Sequence, residues 1–219
     1  MNIDAHAPLH LLHQTAVGTL ATHARQPHGY PYPSLLPFAP DAQHRPTILI
    51  SRLAEHTHNL HADPRAGFLV AHAPDGDVLN GPRATLLGAF EQVAPEPAVV
   101  QRYLRYHPDA ERYLVLGDFT FWVMTLERLR YIGGFGTMGW LDADDLDPLD
   151  PLDFDEECEL IGRFGRNPRR GALELLGIDR YGMDLKRDNA RERYMFESAQ
   201  LDIESLGASL DDCIERHWQ

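Results

Sequence analysis

A chain of 219 residues, of which 43% are hydrophobic, is long enough to bury a core, and this excludes a protein that is disordered throughout. No apolar run approaches the roughly 18–20 residues of a membrane span, and the N-terminus lacks the pattern of a secretory signal, so we expect a cytoplasmic protein without membrane contact. The net charge of −13 is concentrated, because residues 141–160 carry ten acidic residues and no basic one.

The first predicted element is a short helix over residues 8–14, which begins at a proline. Two groups of three histidines lie in helical segments: His6, His10 and His13, and His56, His58 and His61. Such groups can hold a transition metal, but no supporting carboxylate lies nearby in the sequence. We therefore interpret both groups as exposed polar surface and expect no native metal site.

Two strands follow, over residues 17–22 and 30–38. The second contains Pro31, Pro33 and Pro37. Because proline cannot donate a backbone hydrogen bond, so many prolines indicate a strand at a sheet edge or a bulge.

The stretch from 46 to 71 organises the middle of the chain. Residues 47–51 and 67–71 are short runs of apolar and β-branched residues, which predict two buried strands. We expect Ser51 to cap the helix between them and Asp63-Pro64 to end it. Such a helix start could dock a phosphate or carboxylate, although a plain connector helix with a solvated face explains the same pattern. The residues gathered there would be Ser51, Arg52, His56 and Thr57.

A strand over residues 83–93 comes next, with Arg83 at its entry, and Gly88 predicts a bulge or a close approach of another backbone. Two short helices, over 95–106 and 108–116, precede a predicted strand pair, DFTFWVMTL and LRYIGGFG. About seven strands with few helices between them favour an antiparallel closed or split β-barrel.

The motifs that carry a family resemblance occur in order between residues 9 and 140. They are GTLAT, YPSLLPFAPD, ILISRLAEHTHNLHADPRAGFLV, PRATLLGAFEQV, RYLRYHPDAERYLVLGDFTFW and YIGGFG. Together they resemble the HugZ-type haem-utilisation proteins, which belong to the FMN-binding split barrels related to pyridoxamine 5′-phosphate oxidase. The resemblance implies a β-rich α+β fold, an antiparallel split β-barrel with flanking helices. It also implies a homodimer that holds a flat cofactor, FMN or haem, in a cleft at the dimer interface.

The resemblance also indicates candidate cofactor contacts. In the oxidases an arginine and a lysine hold the FMN phosphate, and the corresponding positions here are Tyr32 and His56. A tyrosine supplies no charge and a histidine is largely neutral at pH 7, so FMN binding loses part of its electrostatic basis. The full set of candidate cofactor-binding residues is Tyr32, Ser34, Leu35, Ser51, Arg52, His56, Thr57 and Arg83.

The remainder of the chain predicts a second domain. Residues 1–140 form the barrel domain, 141–155 an acidic linker rich in Pro and Asp, and 156–219 a small C-terminal α/β domain like the one that follows the barrel in longer haem-utilisation proteins. We expect a turn at Asp188-Asn189 and a helical stripe through Ile203, Leu206, Leu210 and Ile214. The basic stretch 163–170 is read as a solvated face, so nucleic acid is not an expected partner.

Two further features limit the chemistry. Cys158 and Cys213 lack metal-site spacing and are read as ordinary thiols. Haem-degrading relatives ligate iron through a histidine of the C-terminal segment, and past His107 this chain has only His217, so we expect no haem degradation.

The predicted function is an oxidoreductase-type role in which FMN or haem supplies the chemistry, with catalytic residues unassigned. A non-catalytic carrier or regulator of haem or another tetrapyrrole is the alternative. A barrel without cofactor, acting as an interaction module, is a third possibility.

Overall fold

The computed structural model describes residues 3–73, 76–134, 136–188 and 190–218. The chain divides into two compact units, Met1–Pro148 and Leu149–Gln219. Among the described residues, every helix is too short or too polar to cross a lipid bilayer.

The first unit is built on one curled antiparallel sheet of eight strands. The strands are β1 Val17–His23, β2 Pro31–Pro37, β3 Ala39–Pro40, β4 Pro46–Ser51, β5 Arg65–Ala71, β6 Arg83–Val93, β7 Phe119–Ile132 and β8 Met138–Asp142. Their order is β2-β1-β5-β6-β7-β4-β3. The first half of β7 pairs with β4 and the second half with β8, which gives the sheet its curl.

Four helices accompany this sheet: α1 His6–Gln14, α2 Glu55–Ala62, α3 Pro97–Tyr106 and α4 Glu111–Leu116. The core lies on the inner side of the sheet. Phe68 packs edge-to-face against Phe38 and Phe90, with ring centroids 5.1 Å and 5.8 Å apart, and all three rings are fully buried. Such pairs add about 0.5–1.5 kcal/mol beyond the burial of their area.

Most predicted strands are confirmed, and β2 is an edge strand as its prolines indicated. Two predictions are wrong. The proposed strand pair around residues 118–136 is instead one 14-residue strand, β7, because its pairing with β6 continues from Phe121 to Ile132 with a single register shift. β5 is not buried on both faces, since it alternates buried and exposed residues, whereas β4 is buried along nearly its whole length.

Gly88 occupies the bulge that the sequence predicted, because the register of β6 on β7 shifts between Leu87 and Gly88. A Cβ at this position would collide with the carbonyl oxygen of Thr125. A backbone atom inside a sheet cannot move aside as a side chain can, so added volume must distort the ladder.

We therefore expect Gly88→Ala to destabilise the barrel unit by about 1–3 kcal/mol. Gly67→Ala is the matched control, because a Cβ on this neighbouring strand would meet no atom closer than 3.9 Å. Urea unfolding of the two variants, followed by near-ultraviolet circular dichroism, compares them directly. Equal midpoints for the two would contradict the assignment of the close approach at Gly88.

The second unit is a three-stranded antiparallel sheet with two helices. Its elements are α5 Phe154–Arg166, β9 Glu174–Asp179, β10 Gly182–Arg187, β11 Ala190–Met195 and α6 Ile203–Trp218, with the strands in the order β11-β10-β9. The predicted stripe on α6 is confirmed, since Leu206, Leu210 and Ile214 are buried in the core of this unit. Asp188 has a positive φ of 55°, as a turn requires, and Asn189 lies outside the described residues.

A buried ion cluster also stabilises the second unit. The guanidinium of Arg193 donates to Asp184 at 2.8 Å and to Asp179 at 2.9 Å, and these carboxylates raise the pKa of the arginine further. Truncating one member of such a buried cluster leaves an uncompensated charge and costs several kcal/mol.

The acidic stretch 141–155 is more structured than a plain linker. It contains the end of β8, the start of α5 and two buried leucines, Leu146 and Leu152. The two cysteines are ordinary thiols as expected: Cys158 is half-buried, and burial raises the pKa of Cys213 to about 12.

Candidate functional site

A polar contact joins α2 to the edge strand within the predicted site. Nδ1 of His56 lies 3.2 Å from Oγ of Ser34. The other ring nitrogen, Nε2, is buried and has no hydrogen-bond partner in the described part of the chain. Burial lowers the pKa of His56 below its ordinary value of 6.5. The ring is therefore mostly neutral at pH 7 and supplies little positive charge.

This shift predicts a pH dependence of stability. Because the pKa of His56 is lower in the folded protein than in the unfolded chain, the unfolded chain binds the proton more readily. The contribution of His56 is fully present above pH 6.5 and is lost as the pH falls toward the folded-state pKa. We expect His56→Gln to reduce the loss of stability between about pH 7 and about pH 5.

Proton NMR of the imidazole gives the direct measurement. The His56 ring should titrate below the value observed for the same ring in the urea-unfolded chain. A higher value in the folded protein would show that the ring gains a charged partner instead of being desolvated.

Ser51 does not cap α2, and that prediction is wrong. The helix begins at Glu55 with Ala54 at the N-cap, because a turn closed by the 3.1 Å hydrogen bond from Ala54 N to Ser51 O comes first. The Ser51 hydroxyl donates to the carboxylate of Asp118 at 2.5 Å and accepts from the backbone N–H of Leu53 at 3.1 Å. The end of the helix at Asp63-Pro64 is as predicted.

Thr57 and Arg52 differ in how much of their hydrogen-bonding capacity remains available to a ligand. Thr57 is fully buried, and its hydroxyl donates to Ser51 O at 2.6 Å. Arg52 is exposed, and its Nη2 donates to Gly117 O at 2.8 Å. The Ser51 and Thr57 hydroxyls thus hold the turn together, and part of the Arg52 guanidinium is already used.

Sequence reasoning missed Asn59, a buried residue that fixes α2 to the sheet. Its Nδ2 donates to Thr22 Oγ1 at 3.1 Å, and its Oδ1 accepts from the backbone N–H of Arg25 at 3.2 Å. The available signal was an asparagine inside a short helix, where its propensity is poor unless the side chain has a tertiary partner.

Of the other predicted residues, Ser34 reaches this spot through its contact with His56, whereas Leu35 and Arg83 do not. Tyr32 and Ser34 lie on one side of β2, whereas Leu35 lies on the opposite side, because successive residues of a strand alternate. Arg83 begins β6, three strands from β2 and so about 14 Å away by strand spacing. Its Nη1 donates to the carbonyl oxygens of Val78, Leu79 and Gly81, which anchors the preceding loop.

The histidine groups also behave differently from the prediction. His13 is fully buried, with Nε2 at 2.8 Å from His44 Nδ1, and His44 Nε2 lies 3.0 Å from an oxygen of Asp147. The prediction that His13 is exposed is therefore wrong. Its partner His44 lies 31 residues away in the sequence, so no local pattern indicated that His13 is buried.

The side of the sheet opposite the core is termed the outer face. Two rows of paired residues cross it through six strands: Leu35, Thr19, Leu69, Thr85, Arg130 and Trp140, and Pro33, Ala21, Gly67, Leu87, Arg128 and Asp142. Leu35 is 76% exposed, and Leu69 and Leu87 are about half as exposed. Within these two rows, β2, β1, β5 and β6 carry no charged side chain, whereas β7 carries Arg128 and Arg130.

The curled antiparallel sheet with flanking helices defines the class of fold: it is the split β-barrel of the pyridoxamine 5′-phosphate oxidase-like proteins. Residues 4–146 match the model of the CREG β-barrel family, which covers well over half of the chain. The chain belongs to this family.

Three relatives illustrate the similarity. The chloroplastic heme oxygenase HOZ of Arabidopsis thaliana is 35% identical over 129 residues, which are 58% of this chain and 39% of that protein. The chain therefore spans about two fifths of the length of this relative. A protein of unknown function from Agrobacterium tumefaciens superposes with a TM-score of 0.78 at 22% identity, covering 95% of this chain and 94% of its own. A heme-binding protein from Mycobacterium smegmatis superposes with a TM-score of 0.62 at 24% identity, covering 99% of this chain and 98% of its own.

Proposed function

We propose that this protein binds haem, or another flat tetrapyrrole that carries carboxylates, at the outer face of the barrel sheet. The observation that carries the proposal is the outer face itself, where Leu35, Leu69 and Leu87 leave apolar surface in water although the chain has a net charge of −13. Exposed apolar side chains gathered on one face of a sheet are typical of binding surfaces.

The residues of the turn before α2, termed the α2 turn, and of the neighbouring strand β2 support haem over FMN. A phosphate dianion is held most strongly where cationic side chains donate to it. Tyr32 is uncharged, His56 is mostly neutral because it is buried, and Arg52 already donates to Gly117 O. A ligand that is mainly apolar and flat fits these residues better than one anchored by a phosphate.

Two relatives are consistent with this choice. One is named a heme oxygenase and one a heme-binding protein, and the barrel motifs of this chain resemble those of the HugZ-type haem-utilisation branch. We infer that the chain belongs to that branch, with residues 156–219 as its small C-terminal domain.

We further propose that two copies of the chain pair through the outer face. A sheet with one face on its own core and an apolar second face is incomplete in a monomer, and a second copy offers the same surface in return. A cleft at that junction would shield the flat ligand from water on both sides.

An oxidoreductase role for the bound haem is the second candidate function, and Met138 favours it. Met138 begins β8, where it pairs with Ile132 of β7, and it lies on the same side of the strand as Trp140. It is 38% exposed. When bound, haem would supply the redox chemistry, and a thioether ligand such as Met138 would favour electron transfer over oxygen activation. The chain's own residues bind and orient the ligand.

Cofactor content tests the proposed function. The full chain is produced in cells supplied with both 5-aminolaevulinate and riboflavin, and acid extracts of the purified protein are separated by chromatography. We expect haem and little flavin. Flavin in stoichiometric amount without haem would overturn the choice of haem.

A further inference from the structure

The outer face changes chemical character at β7 and β8. The row that begins with Leu35 and Leu69 continues through Thr85 to Arg130 and then to Trp140. Trp140 is 45% exposed, so nearly half of the largest side chain in this row faces solvent. The apolar surface therefore ends at an aromatic ring beside guanidinium groups.

Arg130 is the arginine of this part of the outer face that differs from its neighbour Arg128 in its ion pairing. Its neighbour Arg128 pairs with Asp142 at 3.1 Å, but within the described ranges no carboxylate lies within ion-pair distance of Arg130. Arg130 is half-buried, which raises the cost of leaving a cation without a counter-ion. In a chain with 33 acidic residues, a half-buried arginine without an acidic partner is available to an external anion.

The Trp140 ring fixes both guanidinium groups in place. The Cζ atoms of Arg128 and Arg130 lie 4.9 Å and 5.7 Å from the ring centroid. Cation–π contact at these distances is weak at an exposed site, yet it restricts the arginine side chains and reduces the entropy lost on binding. Both guanidinium groups thus lie beside the indole on the outer face.

We propose that Arg130 and Trp140 form the subsite that holds the carboxylate end of the flat ligand. This inference rests on the proposed function and deepens it. Arg130 donates to a ligand carboxylate, Trp140 lies against the ring system, and the apolar rows around Leu69 and Leu87 contact the rest of the ligand. The subsite would supply the cationic contact to the ligand's anionic group that the α2 turn lacks.

A pair of porphyrins that differ only in their carboxylates tests the subsite. Mesoporphyrin and its dimethyl ester, both in the same dilute detergent, are titrated into the full chain, and binding is followed by porphyrin fluorescence anisotropy. Arg130→Gln should weaken binding of the diacid roughly 10- to 100-fold, the loss typical of a charge-assisted hydrogen bond. The same variant should bind the dimethyl ester as the unaltered protein does.

Arg112→Gln is the control, because Arg112 is another arginine of the first unit that lies over an aromatic ring, 4.8 Å from the centroid of Tyr113. It should leave both affinities unchanged. Trp140→Ala should weaken both porphyrins, whereas Trp140→Phe should retain most of the affinity for both. Circular dichroism verifies that each variant is folded.

The outcomes separate this inference from the function on which it rests. If the unaltered protein and the Arg130→Gln variant bind mesoporphyrin with equal affinity, the subsite is overturned and the proposed function stands. Failure of the unaltered protein to bind mesoporphyrin or haemin overturns both. If the Arg130→Gln variant becomes monomeric but keeps its affinity for mesoporphyrin, Arg130 contacts a protein partner. This result also overturns the subsite.

Discussion

Leu69→Glu is expected to convert the protein from a dimer into a monomer. Leu69 lies in the middle of the outer face, between Thr19 on β1 and Thr85 on β6, and is 41% exposed in the single chain. Burying a leucine contributes about 1.5–3 kcal/mol, and burying an unpaired carboxylate costs several kcal/mol more. A symmetric interface contains the substitution twice, so the dimer dissociation constant should rise by about 1000-fold or more.

Sedimentation velocity at micromolar concentration measures the effect. The unaltered chain should have twice the monomer mass of 24.8 kDa, and the variant the monomer mass. Leu201→Glu is the control, because Leu201 is 69% exposed but lies in the second unit, outside the barrel sheet. A monomeric unaltered chain, or a Leu69→Glu variant that remains dimeric, would contradict pairing through the outer face.

The haemin complex is expected to survive conditions that degrade haem in other proteins. Ring opening requires an iron that accepts electrons and then oxygen, and the axial ligand decides whether this happens. Beyond His107 the sequence has no histidine except His217, whose side chain lies outside the described residues. Met138 lies on the outer face, and a thioether ligand at the iron would favour electron transfer over oxygen activation.

Incubation with ascorbate under air, in the presence of catalase, measures the survival of the complex. The Soret band should remain, and no biliverdin-type product should be released. Prompt loss of the band with release of such a product would show that this chain degrades haem without the expected histidine.

The barrel strands were predictable because their signals are local. The prolines of β2 indicated an edge, and Gly88 indicated a bulge, since each limits the backbone by its own covalent structure. The stripe on α6 was equally local, because one helical period brings Leu206, Leu210 and Ile214 to the same side.

The candidate site was harder to predict because its residues depend on distant partners. Ser51 fits the profile of a helix cap, but its hydroxyl donates to Asp118, which lies 67 residues away. Tyr32 and Leu35 are close in sequence, yet strand alternation places them on opposite sides of β2. The Arg130 and Trp140 pair follows from the register of β8 on β7, which a single sequence does not specify.

Parallel titrations of the purified chain with haemin and with FMN, each followed by visible absorption, test the central claim most directly. We expect haemin to produce a saturable Soret shift with a dissociation constant of about 1 µM or lower, and FMN to produce no saturable change at the same concentrations. Stoichiometric binding of FMN without a saturable response to haemin would contradict the account.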